Sequence, residues 1–127
     1  MKENVLAAWQ ADLKSGRHQQ GEGYLRAWNA NSGEWEYCCL GRLCELSGLG
    51  TWKEETTGAG TKCATYLGEK SYLPVEVAEW AGINPAHHDE GVQFRLGEMN
   101  DEGNSFYDIA DDLPSILADY KERDVKP

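Results

Sequence analysis

The sequence is short of positive charge and has no long apolar run. Its 12 Lys and Arg are outnumbered by 22 Asp and Glu, for a formal net charge of −10 over 127 residues. A chain this acidic has no broad cationic surface for a phosphate backbone, and anionic membrane repels it. Direct nucleic-acid binding and membrane docking are therefore not expected. The same charge permits a basic protein partner steered by long-range attraction. No stretch approaches the roughly 20 consecutive apolar residues of a spanning helix. The opening MKENVLAAWQADLKSG carries its apolar residues periodically rather than continuously, unlike a secretory signal. The expected location is the cytoplasm, with reduced cysteines. Internal repeats, low-complexity tracts, P-loops and Gly-x-Gly-x-x-Gly patterns are missing, and so is any Cys-x-x-Cys motif.

What remains is a chain of single-domain size, 1–127, with 40% apolar residues and an aromatic set of five Trp and six Tyr. Val5, Leu6, Trp9 and Leu13 fall at helical spacing, with Lys14 in the last turn and Gly16 as a stop. Tyr24, Arg26 and Trp28 alternate with Leu25 and Ala27. After the turn signal Asn-Ser-Gly, Trp35, Tyr37 and Cys39 alternate again, which predicts a β-hairpin over about 23–38. Leu40, Leu43, Cys44 and Leu46 predict a short helix leaving the second strand, closed by Gly48. Residues 53–61 hold no large apolar side chain and read as a flexible loop, followed by paired strands near 62–67 and 71–73.

Pro74 opens a helix that places Val77, Ala78 and Ala81 on one side and stops at Gly82. His87 and His88 fall in a polar loop and read as exposed. Val92, Phe94 and Leu96 alternate and predict a strand or extended segment. Ser105, three residues before Asp108, marks a helix start. Pro114 either breaks that helix or begins another containing Ile116, Leu117 and Tyr120, and the tail 121–127 reads as frayed. The expected fold class is α+β: three or four short helices on a small, mainly antiparallel sheet.

Three of the four cysteines lie in EYCCLGRLCELSG (36–48). Adjacent Cys38 and Cys39 do not match zinc spacing, even with Cys63, His87 and His88 as further ligands, so no metal site is expected. A thiol at a helix start has its thiolate favoured, but free cysteine is also among the most buried residue types. A structural role at the strand-to-helix junction is the expectation. In CCLGRLC, free backbone N–H groups together with Arg26 and Arg42 could hold a phosphate or carboxylate. The plainer alternative is a Gly41 that allows close packing beside two solvated arginines. NDEGNS (100–105) fails as a calcium loop because Ile109 falls where a Glu is required. Asp108, Asp111 and Asp112 read as a solvated acidic face.

The stretches GYLRAWN, EYCCLGRLCELSG, YLPVEVAEWAGI and MNDEGNSFYDIADDL, taken together, resemble a group of small accessory proteins of tailed bacteriophages. The resemblance covers most of the chain outside 53–61 and the tail. It implies action by binding, either blocking a host defence protein or sequestering a nucleotide-like signal, in the host cytoplasm. No catalytic activity, cofactor or metal comes with it.

Two non-enzymatic readings result. In the first, a small nucleotide-derived immune signal is sequestered, with a homo-oligomer interface as one setting for the site. Tyr24, Trp28, Trp35 and Tyr37 stack on a base, Arg26 and Arg42 meet phosphates, and Asn100 and Ser105 bond a base or ribose. In the second, the acidic segment 98–124 covers a basic surface of a host nuclease or effector. An enzyme using Cys38 or Cys39 is the third class, and it requires a thiol of abnormally low pKa.

Overall fold

The computed structural model describes residues 1–85 and 91–125, the last five as backbone. The expectation for His87 and His88 lies outside the described residues. The elements in chain order are α1 (Glu3–Lys14), β1 (Gln19–Gln20), β2 (Arg26–Asn29), β3 (Glu34–Tyr37), α2 (Cys39–Ser47), β4 (Trp52–Thr56), β5 (Lys62–Tyr66), α3 (Val75–Ala81), α4 (Val92–Asp101) and α5 (Phe106–Val125). The strands form one sheet in the order β1-β3-β2-β5-β4, antiparallel throughout except for the β1–β3 pair. The fold class is α+β, as expected, with five helices among the described residues rather than three or four.

The amphipathic pattern of α1 does what its spacing predicts: Val5, Trp9 and Leu13 are buried. The Trp9 indole N–H donates to the Cys39 carbonyl at 3.0 Å, which ties α1 to the start of α2. The predicted hairpin forms from β2 and β3, pairing Arg26 with Tyr37 and Trp28 with Trp35. Asn29 closes its turn by accepting the N–H groups of Asn31 and Ser32. α2 then leaves β3 directly. Cys38 caps it, its sulfur accepting the Gly41 N–H, and Gly48 ends it in the left-handed region at φ 63°.

α2 is the hub of the core and packs against α1, α3, α4 and β3. Gly41 permits the approach: a Cβ there would sit 1.9 Å from the Leu25 carbonyl oxygen, so no other residue fits without backbone movement. That bears out the close-packing reading of this glycine. All four cysteines are free and buried; the sequence reading places Cys44 and one of Cys38 and Cys39 in the core, and both members of that pair are there.

Four expectations are corrected. The segment read as a loop at 53–61 is strand over 53–56 and a turn only over 57–61: β4 pairs along its whole length with β5, and the turn between them is closed by Thr57 N–H to Thr61 O at 2.8 Å. β4 is an edge strand with largely exposed side chains, so it carries no apolar alternation. Residues 71–73 form no strand. β5 pairs instead with β2 and β4, and a bridge from Tyr66 to Glu69 closes the turn that follows β5.

Residues 92–96 are the start of a helix, not a strand. Val92, Leu96 and Met99 recur at four and seven residues and are buried, and this longer period overrides the local alternation. Finally, Pro114 lies inside an unbroken α5 that runs to Val125. A proline strips the N–H that would bond the carbonyl four residues earlier. Here that carbonyl, of Ala110, receives the Gln10 side-chain N–H from α1 at 2.8 Å. Among the described residues, no helix is long and apolar enough to cross a membrane.

Candidate functional site

Strand register gathers the aromatic residues of the strands on one face of the sheet. Arg26 lies opposite Tyr37 on one side and Ala64 on the other, Trp28 opposite Trp35, Trp52 opposite Tyr66. Side chains two apart on a strand share a face, so Lys62 joins Ala64 there. The rings meet edge to face: Trp28 and Trp35 at 5.3 Å, Tyr37 and Trp52 at 6.0 Å, Trp52 and Tyr66 at 4.9 Å between centroids. The Arg26 guanidinium bridges the two groups of rings, 4.3 Å from the Trp35 centroid and 5.5 Å from those of Tyr37 and Trp52. The Lys62 ammonium sits 5.0 Å from Trp28 and 5.3 Å from Trp35.

The two cations differ in their counter-ions. Lys62 pairs loosely with Glu54 at 3.7 Å, both side chains well exposed, and such a pair is worth little. Arg26 is half-buried and pairs with no carboxylate among the described residues, and its Nε is buried without a hydrogen-bond partner. Leaving a buried donor unmet costs about 1–3 kcal/mol. Cation–π attraction to the surrounding rings, about 0.5–2 kcal/mol per contact, offsets it. The result is a guanidinium set among aromatics, with its charge unpaired among the described residues.

Two of these side chains are fixed by a carboxylate of α2. The Tyr37 hydroxyl and the Trp52 indole N–H both donate to Glu45 Oε1, each at 3.3 Å. The other Glu45 oxygen accepts from Arg42, and Arg42 also grips Asp12 through Nε at 2.8 Å and Nη2 at 2.9 Å. Burial acts to raise the Glu45 carboxyl, but the Arg42 hydrogen bond and charge outweigh it and hold the group below its ordinary value. Burial, reinforced by the Glu45 charge, pushes the Tyr37 phenol up, so Tyr37 stays a neutral donor. His18 stands edge-on to Tyr37 at 5.6 Å and 3.9 Å from Asp12. Burial and then the Arg42 charge lower its pKa, against the pull of Asp12.

The sequence-based site is thus partly assembled and partly dispersed. Arg26, Trp28, Trp35 and Tyr37 come together. Tyr24 is half-buried just ahead of β2 and makes no ring contact with them among the described residues. Arg42 is neither solvated nor open to a ligand: it is 3% exposed and spent on Asp12 and Glu45. Its pairing is a corrected expectation, because no spacing rule links positions 12 and 42. Asn100 is corrected as well. It is 1% exposed, its Oδ1 accepts the Cys39 N–H and the Gln20 side-chain N–H, and its Nδ2 donates to the Gly21 carbonyl. With its amide so used, it locks α4 to β1 and α2. Ser105 caps α5 by accepting the Asp108 N–H at 3.1 Å, as its spacing predicts, and makes no hydrogen bond to the aromatic face.

Sequence reading missed Trp52, Lys62 and Glu45. For Trp52 the signal was there, a lone Trp beside Tyr66 once β4 is recognised as a strand. The cysteines give no second site. Burial pushes the Cys38 thiol up to about 11 despite its capping bond, and it drives Cys39 and Cys44 higher as well, which keeps all three protonated at neutral pH. A separate hollow of about 580 Å³, lined by Met1, Leu6, Ile83, Val92, Leu117 and Tyr120 among others, presents no charged side chain among the described residues.

The fold and this face together define a small α+β domain with a cation-bearing aromatic sheet surface. The chain belongs to the family of a domain of unknown function, DUF8296, whose profile matches residues 1–115 and so takes in every strand of that surface. No curated protein and no solved structure matches the chain.

Proposed function

We propose that this protein is a phage-encoded, non-enzymatic binding protein that takes a small nucleotide-derived immune signal onto the aromatic sheet face and withholds it from the host defence. The observation that carries the reading is Arg26, a guanidinium without a counter-ion among the described residues, set among Trp35, Tyr37 and Trp52, with Trp28 and Lys62 beside it. Aromatic faces accept any base, at about 1–3 kcal/mol per stacked base, and a free guanidinium accepts a phosphate. The binding set is therefore Arg26, Trp28, Trp35, Trp52 and Lys62; Tyr37, only 7% exposed and part of the core, backs Arg26 and is not itself open for a base to stack on, which corrects that expectation. The phage and anti-defence context rests on the sequence resemblance.

The five indole N–H resonances provide the test. On addition of a nucleotide-enriched extract of defence-activated cells, Trp28, Trp35 and Trp52 shift, while Trp9, fully buried beneath α2, and Trp80 on α3 do not. A spectrum with all five unmoved contradicts the reading.

The rival reading, an acidic inhibitor of a basic host protein, draws on the exposed carboxylates Asp101, Glu102, Asp108, Asp111, Asp112 and Asp119 along α4 and α5. It requires a host partner whose capture weakens steeply with salt.

A further inference from the structure

The charges around the aromatic face limit what kind of phosphate it can take. Arg26 is the cation there without a carboxylate partner among the described residues. Its Nε is sealed against the rings, so the Nη groups are the edge left to donate. A guanidinium edge matches two oxygens of one phosphate in a single plane. The second cation, Lys62, already has Glu54 at 3.7 Å, and Glu45, which accepts from Tyr37 and Trp52, is already paired with Arg42. Beyond these, the molecule carries a formal charge of −10. One negative charge on a ligand is met by Arg26. Each further one faces Glu54 and the field of the whole chain, with only a half-committed lysine to offset them.

We infer that the site selects a phosphodiester, with one negative charge per phosphate, over the uncharged nucleoside and over polyphosphates. The inference rests on the binding reading proposed above. Arg26 supplies the gain over the nucleoside, through hydrogen bonds to a charged group that are worth about tenfold or more in affinity. The acidic field supplies the discrimination against polyphosphates. Because that field is long-range, salt screens it, whereas the Arg26–phosphate contact at close range is screened less.

The test is a calorimetric titration of the full chain with the four ribonucleosides, their 3′,5′-cyclic monophosphates and their triphosphates, at low and at high salt. For at least one base, the cyclic monophosphate binds about tenfold tighter than the nucleoside. The triphosphate of that base binds more weakly than the cyclic form at low salt, and the gap narrows at high salt. Arg26→Ala, shown folded by circular dichroism, brings cyclic monophosphate and nucleoside to equal affinity. Arg26→Lys, which keeps the charge without the planar fork, retains part of the difference and serves if the alanine variant does not fold.

Equal binding of nucleoside and cyclic monophosphate by the unaltered chain overturns the phosphate subsite and leaves the aromatic platform standing. Tightest binding of the triphosphate overturns the charge limit. Binding of none of the probes removes the platform reading itself.

Discussion

Two arginines of the same chain show how surroundings assign roles to identical side chains. Arg42 is buried with two carboxylates and serves the fold, whereas Arg26 is half-buried with none among the described residues and is the side chain that the proposed function gives to a ligand. Removing one member of a buried ion pair leaves the other charge uncompensated, typically at about 3–5 kcal/mol. Arg42→Ala strands Asp12, itself only 8% exposed, so urea denaturation should register a loss of that size. Asp12→Asn combined with Arg42→Met, which removes both charges, should lose much less.

The same neighbourhood sets the pH dependence. The folded-state pKa values of His18 and Glu45 both lie below their ordinary values of 6.5 and 4.5. In each case the unfolded chain binds the proton more readily, so stability is fully present above the ordinary value and declines as pH falls through the folded one. Stability measured against pH should therefore fall first below about 6.5 and again below about 4.5. His18→Asn should remove the first decline and leave the second.

The clearest lesson among the elements is α5, which keeps its helical course through Pro114. The Gln10–Ala110 hydrogen bond substitutes for the one that the proline cannot make. Gln10→Ala should cost about 1–3 kcal/mol, because it leaves a buried carbonyl unmet. Pro114→Ala restores the missing N–H and should make the Gln10→Ala change nearly neutral. A double-mutant cycle by chemical denaturation measures that coupling.

This compensation joins residues 100 positions apart, which is why the sequence reads as a break at Pro114. Elements whose signal is local were legible: α1 from its apolar spacing, the β2–β3 hairpin from its alternation, α2 from its glycine stop. α4 was misread because Val92, Phe94 and Leu96 alternate over a window too short to separate the two periods. β4 was missed because an edge strand with exposed side chains needs no apolar pattern. The site follows the same division. The four residues of the hairpin face were legible together, except that Tyr24 stands apart. Trp52, Lys62 and the Asp12–Arg42–Glu45 chain arrive from other parts of the sequence and appear only with the sheet order.

At the scale of the whole molecule, the account sets an acidic body against one small aromatic surface with a single guanidinium unpaired among the described residues. A chain with charge −10 has no electrostatic reason to gather anions in general, so the proposed recognition rests on short-range stacking and on Arg26. The most direct measurement exposes the purified protein to extract of defence-activated cells, washes it, denatures it, and identifies the released small molecules by mass spectrometry, with Trp35→Ala treated in parallel. The account predicts a nucleotide-like species near one equivalent per binding site from the unaltered chain, and far less from Trp35→Ala, with both proteins shown to be folded. Release of no such species, or equal release from both, would contradict it.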